Sequence, residues 1–336
     1  MTKLAIVGLG LALAPHMQSL KDLKGRVSLG HAVTRSPERA ATFNAEYAAE
    51  FGIEAASDLA AALADPELDG VILLTPPQSH LALGAQILAA GKHLLIEKPA
   101  GLTTDDSRAL LAQAQAAGLL VAPVLQHRFR PAIRTLERRI SAGEFGRLCG
   151  GNCLFPWWRA QSYYDTPGRG TYARDGGGVL LTQAIHTLDV LRALAGGIRI
   201  VASRAVTSAL HRMEAEDMVA ALAEFGPDAA PGTIFATTAC YPGMSETITL
   251  IFERATVHID AALGRISHHD GRVEVLGTEG ASGNTADPMA FHHGPHRDLI
   301  ENFVDALEGK AALSVGLSEL VATREVIDQM PRPSAG

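Results

Sequence analysis

The residues best placed to do chemistry in this chain are a lysine after an apolar run, a histidine beyond three glycines, and a basic turn. Lys98 lies in Glu97-Lys98-Pro99, directly after Lys92-His93-Leu94-Leu95-Ile96. If that run is a strand of an open α/β sheet, its carboxyl end faces the crevice where such sheets bind ligands, and Lys98 aims an ammonium group into it. An amine there can take the proton of a secondary alcohol during oxidation and, once protonated, return it to a forming alkoxide. A lysine in water titrates near about 10.4, so a base working near neutrality must be brought down by roughly 2–3 pH units, through burial or a neighbouring positive charge. The tripeptide alone is better explained as an ion pair between Glu97 and Lys98; the rest of the chain reverses that reading.

About ninety residues earlier, the apolar run 4–7 enters Gly8-Leu9-Gly10-Leu11-Ala12-Leu13. Two glycines at a strand-to-helix turn let the backbone approach a pyrophosphate at a helix N-terminus, so Gly8, Leu9, Gly10, Leu11 and Ala12 form the candidate phosphate loop. Leu13 replaces the usual third small residue, with Ala12 and Ala14 beside it, and Pro15 suits the first helical turn. The second strand ends in Thr34-Arg35-Ser36, without the carboxylate that accepts the ribose hydroxyls of NAD. An arginine fork and hydroxyls suit a 2′-phosphate, so NADP is preferred to NAD as the cofactor.

The elements needed to position these residues can be read from the pattern. Segments 4–7, 27–33, 71–74, 93–96 and 119–121 read as strands, alternating with Ala-rich helices at 40–50, 59–63, 81–90 and 107–117. Such alternation predicts an α/β domain with a doubly wound parallel (Rossmann) sheet over residues 1–123. Beyond it come a helix at 132–142, a polar loop, one long apolar helix at 179–195, consecutive strands between 198 and 275, and closing helices at 296–307 and 318–329. That order predicts an α+β second domain, 124–336, with a large mixed or antiparallel sheet. The chain has 336 residues, 47% of them apolar, and a net charge of −7, with no basic stripe, so nucleic acid is not an expected partner. No apolar run is long enough to span a membrane and no leader pattern is visible, which predicts a cytoplasmic protein with no membrane partner. Cys149, Cys153 and Cys240 lack a CxxC pair and read as reduced thiols. His268-His269 and His292-His293…His296 have no adjacent carboxylate or cysteine to complete a ligand set, so no metal is expected.

Together, Gly8-Leu9-Gly10, Thr75-Pro76-Pro77-Gln78-Ser79-His80, Glu97-Lys98-Pro99 and Gly176-Gly177-Gly178…His186 resemble the glucose-fructose oxidoreductase, inositol dehydrogenase and MocA (Gfo/Idh/MocA) family over nearly the whole chain. The resemblance implies that Thr75, Pro76, Pro77, His80, Glu97, Lys98 and Gln126 border the cofactor, and that Lys98 and His186 are catalytic. It places Arg128 near cofactor or substrate. Where the family usually has Asp, four residues before the histidine, this chain has Thr182, which can bond a hydroxyl but cannot take its proton; Gln183 is then expected to help hold the substrate. Trp158-Arg159-Ala160-Gln161-Ser162-Tyr163-Tyr164-Asp165 is similar to a loop of the UDP-N-acetylglucosaminuronate 3-dehydrogenase branch. Arg159, Arg169 and Arg174 give that region a positive bias suited to an acidic substrate held by Arg159 with Tyr163 or Tyr164. Trp157 and Trp158 can stack on a sugar, although neighbours on a strand face opposite ways and one of them should be core.

The expected activity is hydride transfer between NAD(P) and a secondary alcohol or ketone of a sugar, sugar acid, polyol or carboxylated ring diol. An NAD-dependent glycoside hydrolase of the same fold and a non-catalytic NADP-binding sensor are the alternatives. A strand-rich second domain leaves a sheet face to cover, which predicts a homodimer or homotetramer.

Overall fold

The computed structural model describes residues 1–277, 292–330 and 332. It divides the chain into two units, Met1–Leu125 with His293–Val321, and Gln126–His292 with Ala322–Gly336. The first unit thus runs two residues beyond the linear division at 123 and also takes in 293–321.

In the first unit β1 (Thr2–Val7), β2 (Val27–Val33), β3 (Ala55–Ala56), β4 (Gly70–Leu73), β5 (His93–Ile96) and β6 (Val121–Pro123) form one sheet. Its order is β3-β2-β1-β4-β5-β6, and every pairing is parallel. The order reverses between β1 and β4, the switch point beyond which such sheets bind ligands. Leu4, Ile6, Ile72, Leu73, Leu94, Leu95 and Ile96 are wholly buried, as expected for strands covered on both faces. Two-residue β3 is too short to leave a periodic signal. The helix expected at 40–50 is irregular, with Pro37–Phe43 passing through a wider-pitched stretch, Asn44–Ala48, into Ala49–Phe51. Helix Thr104–Ala117 starts at a reciprocal cap between Thr103 and Asp106 and ends at left-handed Gly118. Helix Gly294–Leu307 packs on helix Leu13–Asp22. Arg26 reaches Glu301 at 3.0 Å, Asp305 at 2.7 Å and Glu308 at 3.0 Å.

The second unit is built on β7 (Leu148–Pro156), β8 (Ile198–Val206), β9 (Met218–Phe225), β10 (Ala230–Thr237), β11 (Thr247–Phe252), β12 (Ala255–Asp260), β13 (Leu263–His268) and β14 (Val273–Leu276). The order is β14-β13-β12-β11-β7-β10-β9-β8, mixed because β7 runs parallel to β10 and antiparallel to β11. Along β9 and β11 buried and open side chains alternate. One face carries helices Pro131–Ser141 and Ile185–Ala195, while Leu154, Leu222 and Ile251 stand exposed. The single helix expected at 179–195 is two, Val179–Thr182 and Ile185–Ala195. Thr182 and His186 are therefore not one turn apart on a continuous helix. The interruption has a local cause: the Thr182 hydroxyl bonds back to the Gly178 carbonyl at 2.7 Å, and the Gln183 and Ala184 N–H groups both turn to the Val179 carbonyl.

Candidate functional site

At the switch point of the first unit a cleft of about 480 Å³ is lined by Gly8, Thr34, Arg35, Ser36, Arg39 and Thr75, among others. Its floor is backbone. Gly8 has φ +98°, and a Cβ there would stand 2.7 Å from the Thr75 nitrogen and 2.8 Å from the Leu74 carbonyl carbon. Only glycine allows β1 and β4 to approach so closely at the head of the cleft. Helix Leu13–Asp22 begins at Ala12 without a side-chain cap; its first N–H, that of Leu13, bonds the Gly10 carbonyl at 3.1 Å, and Pro15 in the first turn has none. Leu9 is buried and Leu11 exposed, so within this loop their side chains go to the core and to solvent. Arg35 and Arg39 both line the cleft, and the Arg39 N–H bonds the Ser36 hydroxyl at 3.3 Å. Arg39 is the residue the sequence reading passed over. Its spacing of four from Arg35 on the following helix is the signal that could have found it.

Lys98 follows β5 and is part-buried. Its backbone N–H donates to Glu97 Oε2 at 3.1 Å, so the expected ion pair is at least partly a backbone arrangement. Glu97 Oε1 faces His16 Nε2 at 3.3 Å. Burial raises the Glu97 carboxyl, but the His16 hydrogen bond and nearby positive charge outweigh it and hold the group below the ordinary carboxylate range. His80 does not line the cleft. It is wholly buried, with Nδ1 2.7 Å from the Pro99 carbonyl and Nε2 2.6 Å from the Thr75 carbonyl, and so ties the turn after β4 to the turn carrying Lys98. Its position is that of a residue acting through its neighbours instead of a direct cofactor contact. Pro76 lines the cleft as expected, and Pro77 does not.

In the second unit, His186 is buried near the start of helix Ile185–Ala195, its ring centroid 4.8 Å from that of His127. Of the three glycines before it, Gly176 ends helix Tyr172–Asp175 in the left-handed conformation, and Gly177 and Gly178 serve close packing. A Cβ on Gly178 would lie 1.8 Å from the Glu216 carbonyl oxygen, and the Glu216 carboxylate accepts the Gly178 N–H at 3.0 Å. Burial raises the Glu216 carboxyl against those hydrogen bonds. No motif points to Glu216, which comes from 38 residues away.

Three of the expected substrate residues meet. Gln183 Nε2 donates to the Tyr163 hydroxyl at 3.1 Å, Arg169 also donates to that hydroxyl, and Gln183 Oε1 lies against the Thr182 hydroxyl. Arg159 is 6% exposed, with its guanidinium 4.9 Å from the Trp157 ring centroid and 5.8 Å from that of Tyr163. Others lie elsewhere. Tyr164 turns into the core, its hydroxyl 2.6 Å from Thr238 Oγ1. Arg128 is buried between Glu137 at 2.6 Å and Asp189 at 3.6 Å, a structural ion-pair position. Trp157 is the core member of the tryptophan pair, bonded to Glu246 at 3.2 Å, while Trp158 is partly open beside His211 and Tyr241. Gln126 is buried and its Oε1 has no hydrogen-bond partner among the described residues.

Residues 2–124 match the profile described as "Oxidoreductase family, NAD-binding Rossmann fold", and residues 133–282 that of the GFO/IDH/MocA C-terminal domain. The chain is 29% identical over 213 residues to 4-carboxy-2-hydroxymuconate-6-semialdehyde dehydrogenase of Sphingobium sp., covering 62% of this chain and 63% of that protein. It is 30% identical over 248 residues to 1-carboxy-3-chloro-3,4-dihydroxycyclohexa-1,5-diene dehydrogenase of Comamonas testosteroni, covering 71% and 59%. The chain thus spans about three fifths of the length of these two curated relatives. The WlbA dehydrogenase of Bordetella pertussis, solved with NADH and UDP-GlcNAcA, has the same fold, with a TM-score of 0.82 over 100% of this chain and 99% of that one at 24% identity. Among the described residues no helix is long and apolar enough to cross a membrane. With both halves matched by profiles of one family, and a six-stranded parallel sheet joined in sequence to an eight-stranded mixed one, the chain belongs to the Gfo/Idh/MocA oxidoreductase family.

Proposed function

We propose that this protein is an NAD(P)-dependent dehydrogenase or reductase that interconverts a secondary alcohol and a ketone on a small carboxylated substrate, a sugar acid or a carboxylated ring diol. The observation that carries the reading is the close approach at Gly8, whose missing Cβ lets the turn after β1 lie against Leu74 and Thr75, so that the cleft at the switch point opens beside a helix N-terminus without a side-chain cap. When bound, the cofactor supplies the hydride acceptor or donor. The turn Gly8–Ala12 and the start of helix Leu13–Asp22 would hold its diphosphate. Thr34, Arg35, Ser36 and Arg39 hold the adenosine ribose, with two guanidinium groups at a cleft wall whose second strand ends without a carboxylate. That charge balance favours NADP.

Lys98 takes the proton of the substrate hydroxyl and returns it in the reverse direction. His80 and Glu97 fix its backbone through Pro99 and the Lys98 N–H. On the second unit, His186 assists with the proton, and Gln183, Tyr163 and Arg169 offer a linked set of donors for substrate oxygens. Arg159 and Arg169 suit a carboxylate, and the two curated relatives named above carry carboxylated substrates in their names. The exposed apolar side chains of the large sheet, Leu154, Leu222 and Ile251, support a homo-oligomer formed through that face.

The test is a panel of sugar acids, carboxylated ring diols and neutral polyols, read by the absorbance of reduced nicotinamide with each cofactor. Net reduction with an acidic member supports the reading; cofactor binding without turnover on any member defeats it. Arg35→Asp, which removes a phosphate partner and adds repulsion, should move preference toward NAD by about tenfold or more. An unmodified protein that already binds NAD more tightly than NADP would defeat the NADP assignment.

A further inference from the structure

His16 on helix Leu13–Asp22, Glu97 after β5 and His296 on helix Gly294–Leu307 converge inside the first unit. The imidazoles are 0% and 2% exposed, and one ligand atom from each of the three side chains lies within 4.8 Å of the other two. We propose that these three side chains form a Zn²⁺ site of two imidazoles and one carboxylate, tying the strand end that carries Lys98 to two helices.

The geometry is close to what the ion requires. Two ligands held about 2.0–2.1 Å from a tetrahedral Zn²⁺ stand about 3.3 Å apart. His16 Nε2 and Glu97 Oε1 are already 3.3 Å apart. The rings of His16 and His296 meet edge to face, with centroids 5.2 Å apart and planes at 81°, so His296 closes the site by a shift of its side chain. Two nitrogens and one oxygen suit Zn²⁺ better than Mg²⁺ or Ca²⁺, which favour oxygen ligands.

Metal ligands must be deprotonated. In the neutral His16 tautomer that bonds Glu97, the proton is on Nε2. On binding, the proton leaves Nε2 for Nδ1, and the Nε2 lone pair goes to the ion. Nδ1 has no hydrogen-bond partner among the described residues, so the outer-shell acceptor that usually strengthens such ligands is missing. That partner typically contributes about 10–100-fold in affinity, so this site would bind Zn²⁺ that much more weakly than one with the acceptor in place. Glu97 Oε2 still accepts the Lys98 N–H, so the ion would stiffen the turn carrying the lysine.

The experiment is a titration of the full untagged chain with Co²⁺, read by its visible d–d absorption, alongside thermal melting with and without Zn²⁺. One equivalent with the intense spectrum of a tetrahedral site, and a melting temperature raised by Zn²⁺, are expected. His16→Phe and His296→Phe should each abolish that spectrum and the Zn²⁺ shift. Should either fail to fold, Glu97→Gln, which keeps the shape and removes the charge, is read the same way. A weak octahedral spectrum, no saturable binding, or the same spectrum in folded variants would overturn the site and assign any bound ion to exposed histidines.

Discussion

At the cleft of the first unit, the decisive contact is between main chains, Gly8 against Thr75. In the second unit, around Tyr163, it is a chain of side chains, with Gln183 and Arg169 donating to one phenol oxygen. A backbone-built site depends on the absence of a side chain at one position and tolerates trimming at its rim. A side-chain-built site depends on several groups drawn from separate segments, and each substitution changes what it recognises. Under the function proposed above, dinucleotide binding falls to the first unit and substrate choice to the second.

The sharpest way to break this comparison is Lys98→Met, because the lysine is the side chain in the first unit on which the chemistry is argued to rest. Turnover should fall by roughly 10²–10⁴ while cofactor affinity stays within a few fold. Near-normal turnover would remove Lys98 from the mechanism. Next comes Gly8→Ala. A Cβ 2.7 Å from a backbone nitrogen at φ +98° forces the turn to shift, with a strain of about 1–3 kcal/mol. Cofactor affinity should drop by about tenfold or more by fluorescence titration, whereas trimming the rim with Thr34→Ala should cost much less; equal losses would mean the cleft is not backbone-built.

Arg159→Ala sharpens the other side. A charged hydrogen bond is worth roughly 1.5–3 kcal/mol, so KM for an acidic substrate should rise about ten- to hundredfold, with cofactor affinity unchanged. An equal rise for a neutral analogue would mean that Arg159, packed on Trp157 and Tyr163, only holds the loop's shape.

The smallest effect concerns acid stability. His296, beside His16, Glu97 and His293, is pushed down to about 3 chiefly by burial. An unfolded histidine takes its proton near about 6.5. Between those values the unfolded chain binds more protons, so stability is fully present above about pH 6.5 and is lost as pH falls toward 3, by at most about 1.4 kcal/mol per pH unit. Urea unfolding from pH 7 to 5 should show this slope, and His296→Phe should flatten it. Equal slopes in both proteins would mean that His296 is not held neutral.

The sequence by itself determined the parallel sheet and its binding turn. Alternating apolar strands, the glycines at 8 and 10, and the missing carboxylate after the second strand are all local signals, because backbone conformation is set within a few residues. β2, at Val27–Val33, and β5, at His93–Ile96, fell where the pattern put them. Only the tertiary structure decided which polar side chains work together. His80 joins two turns 19 residues apart, Glu216 meets the glycines from 38 residues away, and His16 meets Glu97 across 81 residues. The break at Gln183 depends on one hydroxyl bonding back to a carbonyl, a choice invisible to periodicity. Side chains so far apart in sequence carry no shared period, and they are brought together only when the sheets and helices pack.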